Sequence, residues 1–179
     1  MLTSPDQPIA GPLFPTLELL ILLLVPAMVL LMAAVHAWAP PEKKLWSLVA
    51  LVFMSLAAGV TGSVHFIILT LGSRPEFASL PLLLSFRWPS LVYALDILAW
   101  DLFFALSMLC AAPAFRGSRL ARTVQLALIA SGVLALAGLA GLVHGDMRLR
   151  NIGIVGYDGV FLVVAVLLAR LFYRTEPSQ

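Results

Sequence analysis

Six ionisable side chains lie within long apolar stretches of this 179-residue sequence. An ionised side chain near the centre of a lipid bilayer costs on the order of 2.5 to 3.5 kcal/mol, so each one requires a reason. Carboxylates and imidazoles in such places can bind or relay protons, coordinate a cation or hold a ligand. The six are Glu18, His36, His65, Asp96, Asp101 and Asp158, and His144 lies at the rim of its stretch.

Three of these groups are predicted to lie at one depth. We estimate the depth of each residue from the helical rise of about 1.5 Å per residue, counted from the nearest tryptophan or arginine at the end of its span. On this scale, Asp96 and Asp158 lie about 12 Å deep and His65 lies about 13 Å deep. We therefore expect His65, Asp96 and Asp158 to form one polar cluster. Asp101 comes five residues after Asp96 and would point about 140° away on a regular α-helix, so we expect it to be independent of the cluster.

Aromatic residues accompany these carboxylates. Tyr93, Asp96 and Trp100 follow i, i+3, i+7 spacing and share one helix face, while Tyr157 precedes Asp158. Aromatic rings beside a buried carboxyl group are typical of a small-ligand pocket, although rings at this spacing also pack helices together. The candidate ligand-binding residues are His65, Tyr93, Asp96, Trp100, Tyr157 and Asp158.

His65, Asp96 and Asp158 are also weak candidates for a metal site, because mixed imidazole and carboxylate ligands suit a divalent ion of intermediate hardness. Their spacing matches no diagnostic ligand pattern. The single cysteine, Cys110, offers neither an internal disulfide nor a pair of thiolate ligands. The sequence has no GxSxG, HExxH or nucleotide-binding glycine motif, so it indicates no cofactor and leaves any catalytic residue unknown.

The run 145–159 is the most polar part of the second half of the chain. It contains Arg148 and Arg150, and we expect one of them to form an ion pair with Asp96 or Asp158, because charges inside membranes usually pair with one another. Glycines recur at every third position, at Gly153, Gly156 and Gly159. They predict a smooth helix face that another helix can approach closely.

The elements that must position these residues follow from composition. The chain is 61% hydrophobic and 11% charged, with a mean hydropathy of +1.03, whereas a soluble domain has about 25% charged residues. This balance excludes a soluble enzyme and a disordered chain. Continuous apolar runs of about 20 residues predict spanning helices rather than barrel strands. The predicted spans are 13–38, 46–71, 90–112, 123–144 and 152–173.

We therefore predict an all-α, polytopic integral membrane protein, a five-helix transmembrane bundle that forms one domain over residues 1–179 without a soluble domain. The first span is expected to be retained, because no lysine or arginine precedes it and it is longer than the apolar region of a signal peptide. The connection between spans two and three contains an apolar run at 80–86 that is too short to cross a bilayer. It predicts an interfacial or re-entrant segment over the outer mouth of the bundle, or a loop resting on lipid head groups.

Basic residues predict the orientation. Seven lysines and arginines flank one end of the five spans and four flank the other. The positive-inside rule then places the N-terminus outside and the C-terminus in the cytoplasm, in a membrane that we take to be the plasma or inner membrane. The pI near 9.0 is explained by these flanking residues, so no nucleic-acid partner is predicted.

Small residues predict where helices approach most closely. Ser55, Gly59 and Ser63 recur at four-residue intervals in span two, and Gly138 and Gly141 lie in span four. We therefore expect spans two and four to form the tight centre of the bundle.

The sequence leaves several functions open. The first hypothesis is a bundle that binds or moves a small molecule, a lipid or an ion at a polar cluster in the outer half of the membrane. The second is an accessory or assembly subunit of a larger membrane complex, without chemistry of its own. An intramembrane enzyme with a histidine and carboxylate site is a further alternative, as is a proton or ion conductor using Asp96, Asp101, Asp158 and His65. The expected partners are membrane lipids, other membrane subunits or further copies of this chain.

Overall fold

The computed structural model describes residues 13–72, 74–77 and 80–174, with only the backbone of Pro81. These residues form helices and connections, without strands. Five helices are long and apolar enough to cross a membrane, as predicted. They are α1 (Leu13–Trp38), α2 (Pro41–Leu71), α3 (Leu91–Ala114), α4 (Arg119–His144) and α5 (Met147–Arg174).

Three helices begin several residues before the predicted apolar spans, because their first turns are polar. The Ser118 side chain accepts a hydrogen bond from the backbone N–H of Ala121 and so caps α4. The Asp146 side chain accepts from the backbone N–H of Arg148 at the start of α5. Hydropathy marks the apolar part of each helix, whereas polar caps decide where the helix starts.

α3 is the central helix of the bundle. It packs against α2 and α4, whereas α1 packs mainly against α2. Its side chains also reach α5, where Trp100 contacts Tyr157. Phe104 and Met108 of α3 are completely buried. The prediction that spans two and four form the tight centre is therefore wrong, because Ser55, Gly59 and Ser63 lie on the exposed face of α2. An apolar residue facing lipid and one facing the core look alike in sequence, so the small residues could not show which face is buried.

α4 and α5 approach each other closely through glycines. A Cβ atom added to Gly153 would lie 3.2 Å from the Cα of Gly138, and one added to Gly156 would lie 2.7 Å from the carbonyl oxygen of Ser131. The Ser131 hydroxyl donates a hydrogen bond to the Gly156 carbonyl oxygen at 2.9 Å. Gly159 continues the spacing but is exposed, so two of the three predicted glycines form the packed face.

Two helices contain π-helical segments, Leu98–Phe104 in α3 and Val155–Val160 in α5. A π-helix closes its hydrogen bonds from residue i to i+5, so it rotates less per residue than an α-helix. The segment in α3 changes which residues share a face after Ile97.

The described part of the connection between α2 and α3 contains a short helix, Pro81–Leu84. It packs near the start of α3 and the end of α2. Leu82 and Leu83 are exposed. Its position relative to a bilayer, interfacial or re-entrant, stays a prediction.

Candidate functional site

Five ionisable residues from four helices meet at one end of the bundle. Because consecutive long helices run in opposite directions, the starts of α1, α3 and α5 and the end of α2 lie at this end. Burial of these groups is nearly complete, since the side chains are at most 7% exposed. We name this set the charged cluster: Glu18 of α1, His65 of α2, Asp96 and Asp101 of α3, and Arg150 of α5.

Arg150 binds two carboxylates of α3. Its Nη2 donates a hydrogen bond to Asp96 Oδ2 at 2.7 Å, and its Nε donates to Asp101 Oδ2 at 3.2 Å. Charge-assisted hydrogen bonds of this kind are about twice as strong as neutral ones. The guanidinium therefore ties the start of α5 to two successive turns of the central helix.

His65 extends the cluster towards α1. Its Nδ1 is hydrogen-bonded to Glu18 Oε2 at 2.6 Å, and its Nε2 lies 3.9 Å from Asp96 Oδ1. The second distance is an electrostatic contact that is too long for a direct hydrogen bond. The imidazole thus lies between two carboxylates, which is an arrangement that can exchange a proton.

Within the described residues, every buried carboxylate, imidazole or basic side chain belongs to the charged cluster. The remaining buried polar side chains are hydroxyl groups, namely Ser47, Thr61, Ser90, Ser107 and Ser131. The buried ionisable groups therefore form one connected set instead of several isolated pairs.

The expectation that Asp101 is independent of Asp96 is wrong, because one guanidinium binds both. The expected 140° separation assumed a regular α-helix from Asp96 to Asp101. The π-helical segment begins at Leu98 and rotates the following residues less per step, which brings the two carboxylates onto adjacent parts of one face.

Asp101 also contacts the glycines at the α4–α5 crossing. Its Oδ1 lies 2.7 Å from the position of a Cβ added to Gly153 and 2.9 Å from that of a Cβ added to Gly138. The same oxygen is completely buried and has no hydrogen-bond partner within the described part of the chain. The missing side chains of two glycines therefore create the space in which this carboxylate lies.

Aromatic rings cover the cluster at its end of the bundle. The Arg150 guanidinium carbon lies 4.6 Å from the centre of the Tyr93 ring, a cation–π contact. Phe86, from the connection before α3, contacts Tyr93 edge to face at 5.4 Å and lies 5.7 Å from the His65 ring. Phe86 is 41% exposed, so it separates the cluster from the surroundings at this end.

These contacts describe the site without reference to any other protein. No known protein family, curated protein or solved structure matches this chain. The geometry of the charged cluster is therefore the basis for a functional proposal.

The structure brings together only part of the predicted ligand-binding set. His65 and Asp96 belong to the charged cluster and Tyr93 covers it. Trp100 and Tyr157 pack against each other between α3 and α5, with ring centres 5.1 Å apart, and Tyr157 is also close enough to Arg150 to interact with it electrostatically. Whether any of these residues binds a ligand stays a prediction.

Asp158 does not join the cluster, contrary to the expectation from depth. Asp158 is exposed on α5, whereas the neighbouring Tyr157 is buried. The sequence predicted how far along its helix Asp158 lies, but this depth does not determine which way the side chain points. The weak metal candidate of His65, Asp96 and Asp158 is accordingly not formed, and the described residues hold no group of three metal-ligating side chains that could bind an ion.

Of the two arginines predicted to form ion pairs, Arg150 is buried and binds Asp96, as expected, and not Asp158. Arg148 is exposed at the end of the bundle, in the turn that starts α5. The turn Met147–Arg150 thus directs one arginine inwards and the other outwards.

Sequence reasoning placed Glu18 among the intramembrane charges but not in the cluster. The signal that could have included it is its position five residues after the start of α1, at the same end as Asp96, which lies five residues after the start of α3. Its omission followed from an expected depth somewhat shallower than that of His65, Asp96 and Asp158 on the same side.

The cluster contains more acidic than basic groups. Three carboxylates face one guanidinium and one imidazole. With every carboxylate ionised and the imidazole protonated, the net charge is −1, and with a neutral imidazole it is −2. An uncompensated buried charge is costly, so such a site favours the uptake of a positive charge.

Proposed function

We propose that this protein is an integral membrane protein whose charged cluster binds and releases a proton. Its five apolar helices fit a membrane protein by length and composition. The observation that carries the proton assignment is the excess of three carboxylates over two basic groups in a site that is nearly closed to water. A proton is the smallest positive charge that can balance this excess without additional space.

Close spacing supports proton exchange within the cluster. Glu18 and His65 share a short hydrogen bond of 2.6 Å, and Asp96 lies on the other side of the imidazole. A histidine between two carboxylates can accept a proton on one nitrogen while the other nitrogen gives one up. We propose that protons enter beside Phe86 and are shared among these three residues.

We propose that the cluster binds and exchanges protons from one side of the bundle and does not conduct them through the whole bundle. Beyond Asp101, the described buried side chains of α3 are apolar except for the hydroxyl of Ser107. A relay across the membrane needs further titratable groups or water along the path. Uptake of a proton would instead alter the charge of the cluster that links α1, α2, α3 and α5. Protonation would thereby control the packing of these helices.

The proposed orientation places the cluster in the outer half of the membrane. Arg74, Arg87 and Arg148 are exposed at the end of the bundle that holds the cluster. The opposite end carries seven basic residues, so it is the cytoplasmic end by the positive-inside rule. We propose that the N-terminus lies outside and the C-terminus inside, in the plasma or inner membrane.

Infrared spectroscopy of the purified protein tests the proton directly. A protonated carboxyl group has a carbonyl band that an ionised carboxylate lacks and that shifts in D2O, and we expect this band at neutral pH. Glu18→Gln, Asp96→Asn or Asp101→Asn should each abolish it, because each removes the excess negative charge. Glu76→Gln is the matched control, since it removes an exposed carboxylate outside the five long helices and should leave the band unchanged.

Two results would contradict the proposal. One is a folded wild-type protein without a protonated carboxyl band at neutral pH. The other is a band that survives in all three cluster variants, which would assign the proton to a carboxyl group elsewhere in the chain.

A second candidate function is that of an accessory subunit, and the exposed face of α2 favours it. Ser55, Gly59 and Ser63 border a shallow groove of about 410 Å³. Both serine hydroxyls donate to carbonyl oxygens of their own helix, those of Leu51 and Gly59, so the face is smooth and needs no polar partner. Such a face suits close contact with another membrane helix, from another subunit or a second copy.

Crosslinking distinguishes the second candidate from the first. Gly59→Cys, in a Cys110→Ser background, should form a disulfide dimer or a crosslink to a partner subunit if this face is an interface. Gly159→Cys on the exposed face of α5 is the control. Equal reaction at both positions would indicate random collision and would contradict a docking role for α2.

A further inference from the structure

We propose that the opposite end of the bundle holds a binding site for the head-group phosphate of an anionic phospholipid. A cavity of about 370 Å³ lies at the loop that connects α3 to α4, beside the first turns of α4, and is lined by Arg116, Gly117, Arg122 and Gln125. Arginine guanidinium groups bind phosphate oxygens through pairs of parallel hydrogen bonds. The cavity thus offers two cationic side chains on one small surface, a donor set that suits a phosphate group.

The loop that carries this site is held in place by aromatic packing. Phe115 is completely buried and stacks on Trp38 of α1, with ring centres 5.1 Å apart. Gly117 has φ of +98°, a left-handed conformation that side-chain-bearing residues rarely adopt, so the chain can turn sharply after Arg116. The turn brings Arg116 to the same cavity as Arg122 from the first turns of α4.

Basic residues outnumber acidic residues at the end of the bundle that holds the cavity. α4 begins at Arg119 and has no acidic residue in its first turn, although the start of a helix favours negative charge. At this end, the described residues include one acidic side chain, Glu42, and seven basic ones. The basic residues are Lys43, Lys44, Arg116, Arg119, Arg122, Arg170 and Arg174. An anion from outside the chain would balance the charge of the arginines.

The surface next to the cavity favours a lipid over a soluble anion. Residues at i+4, i+7 and i+11 from Arg122 lie on the same face of α4. They are Leu126, Ile129 and Val133, and all three are exposed. This apolar strip continues along the helix from the arginine, so an acyl chain can lie on it while the phosphate remains at Arg116 and Arg122. A soluble phosphate would make no use of the strip.

This inference rests on the proposed membrane residence, which alkaline extraction of membranes tests separately. The site itself is tested with the full chain in detergent, by native mass spectrometry with added phosphatidylglycerol or phosphatidylcholine. We expect preferential retention of phosphatidylglycerol. The double variant Arg116→Gln and Arg122→Gln should weaken its binding roughly 30-fold, from about a fivefold contribution of each basic residue near a lipid surface.

The matched control removes the same charge from the same end. Arg170→Gln and Arg174→Gln together should change binding less than about threefold, because these residues lie at the end of α5, away from the cavity lining. A second variant, Leu126→Ser with Val133→Ser, removes the apolar strip and keeps both arginines. It should also weaken binding of phosphatidylglycerol, so that the test does not depend on the arginine variant alone.

Three outcomes would overturn the assignment. Equal loss in the two double arginine variants would show a general charge effect. Equal retention of phosphatidylglycerol and phosphatidylcholine would show that the phosphate site does not select an anionic lipid. Displacement of phosphatidylglycerol by millimolar inorganic phosphate, together with full binding in the serine variant, would assign the cavity to a soluble anion.

Discussion

Asp96 and Asp101 are five residues apart in α3, yet both accept a hydrogen bond from the guanidinium of Arg150. The π-helical segment that begins at Leu98 makes this possible, because it rotates Asp101 towards the face that carries Asp96. Two like charges on one face repel each other unless a cation lies between them. The stability of the central helix in its present form therefore depends on a residue from α5.

Removal of Arg150 alone should destabilise the protein more than removal of Arg150 together with Asp96 and Asp101. We expect Arg150→Gln to lower the free energy of unfolding by about 3 to 5 kcal/mol, because it leaves buried carboxylates without a partner. The triple variant with Asp96→Asn and Asp101→Asn should recover most of this loss. Unfolding in mixed detergent micelles, followed by circular dichroism, measures both values.

Arg148→Gln is the control for this prediction, since Arg148 is exposed in the same turn. It should change the free energy of unfolding by less than about 0.5 kcal/mol. A triple variant less stable than Arg150→Gln would contradict the shared ion cluster, because the losses would then be additive.

Glycine at position 153 is expected to be essential for close packing. Gly153→Ala places a methyl group 2.7 Å from Asp101 Oδ1 and 3.2 Å from the Cα of Gly138, so α5 must shift away from α4. We expect a loss of about 1 to 3 kcal/mol, typical of overpacking. Thermal unfolding in detergent provides the measurement.

Gly159→Ala is the matched control on the same helix. Its nearest neighbour would be Val155 Cγ1 at 4.0 Å, so the change should be neutral or stabilising by up to about 1 kcal/mol from helix propensity. A similar loss at both positions would mean that glycine matters in α5 for a reason other than contact with Asp101 and α4.

The link between α1 and α2 at the cluster should show energetic coupling. A double-mutant cycle with Glu18→Gln and His65→Gln should give a coupling energy of about 1 to 3 kcal/mol, because a short charge-assisted hydrogen bond joins the two. The measurement is the free energy of unfolding of the two single variants and the double variant. Hydrogen exchange in α1 should rise in each single variant.

A second α1–α2 pair at the opposite end serves as the comparison. His36 Nδ1 and Ser47 Oγ are 2.9 Å apart, and a pair that lacks a carboxylate should couple by about 0.5 to 1 kcal/mol. Equal coupling at the two ends would argue against special charge interactions in the cluster.

Two exposed glutamates at opposite ends of the bundle test the proposed orientation. In a Cys110→Ser background, Glu76→Cys should react with a membrane-impermeant thiol reagent in intact cells, whereas Glu42→Cys should react only after the membrane is permeabilised. Both changes remove one negative charge. Reaction of Glu42→Cys in intact cells would reverse the predicted topology.

Hydropathy alone predicts five apolar helices and their approximate positions. Continuous runs of about 20 apolar residues can satisfy their backbone hydrogen bonds in lipid only as helices. The sequence also predicts that Arg150 pairs with a carboxylate, because a buried charge needs a counter-charge. Helix ends are predicted less well, since polar caps such as Ser118 and Asp146 extend the helices beyond their apolar parts.

Tertiary structure decides which faces meet, because lipid and protein interior are equally apolar and leave no difference in hydropathy between the two sides of a helix. It turns Ser55, Gly59 and Ser63 outwards, although their spacing predicted packing. It also excludes Asp158 from the cluster and includes Asp101, because the rotation of α5 and the π-helical segment of α3 set the direction of each carboxylate. Sequence thus determines the position of each charged residue along its helix, while only the packing of the helices determines which of them meet.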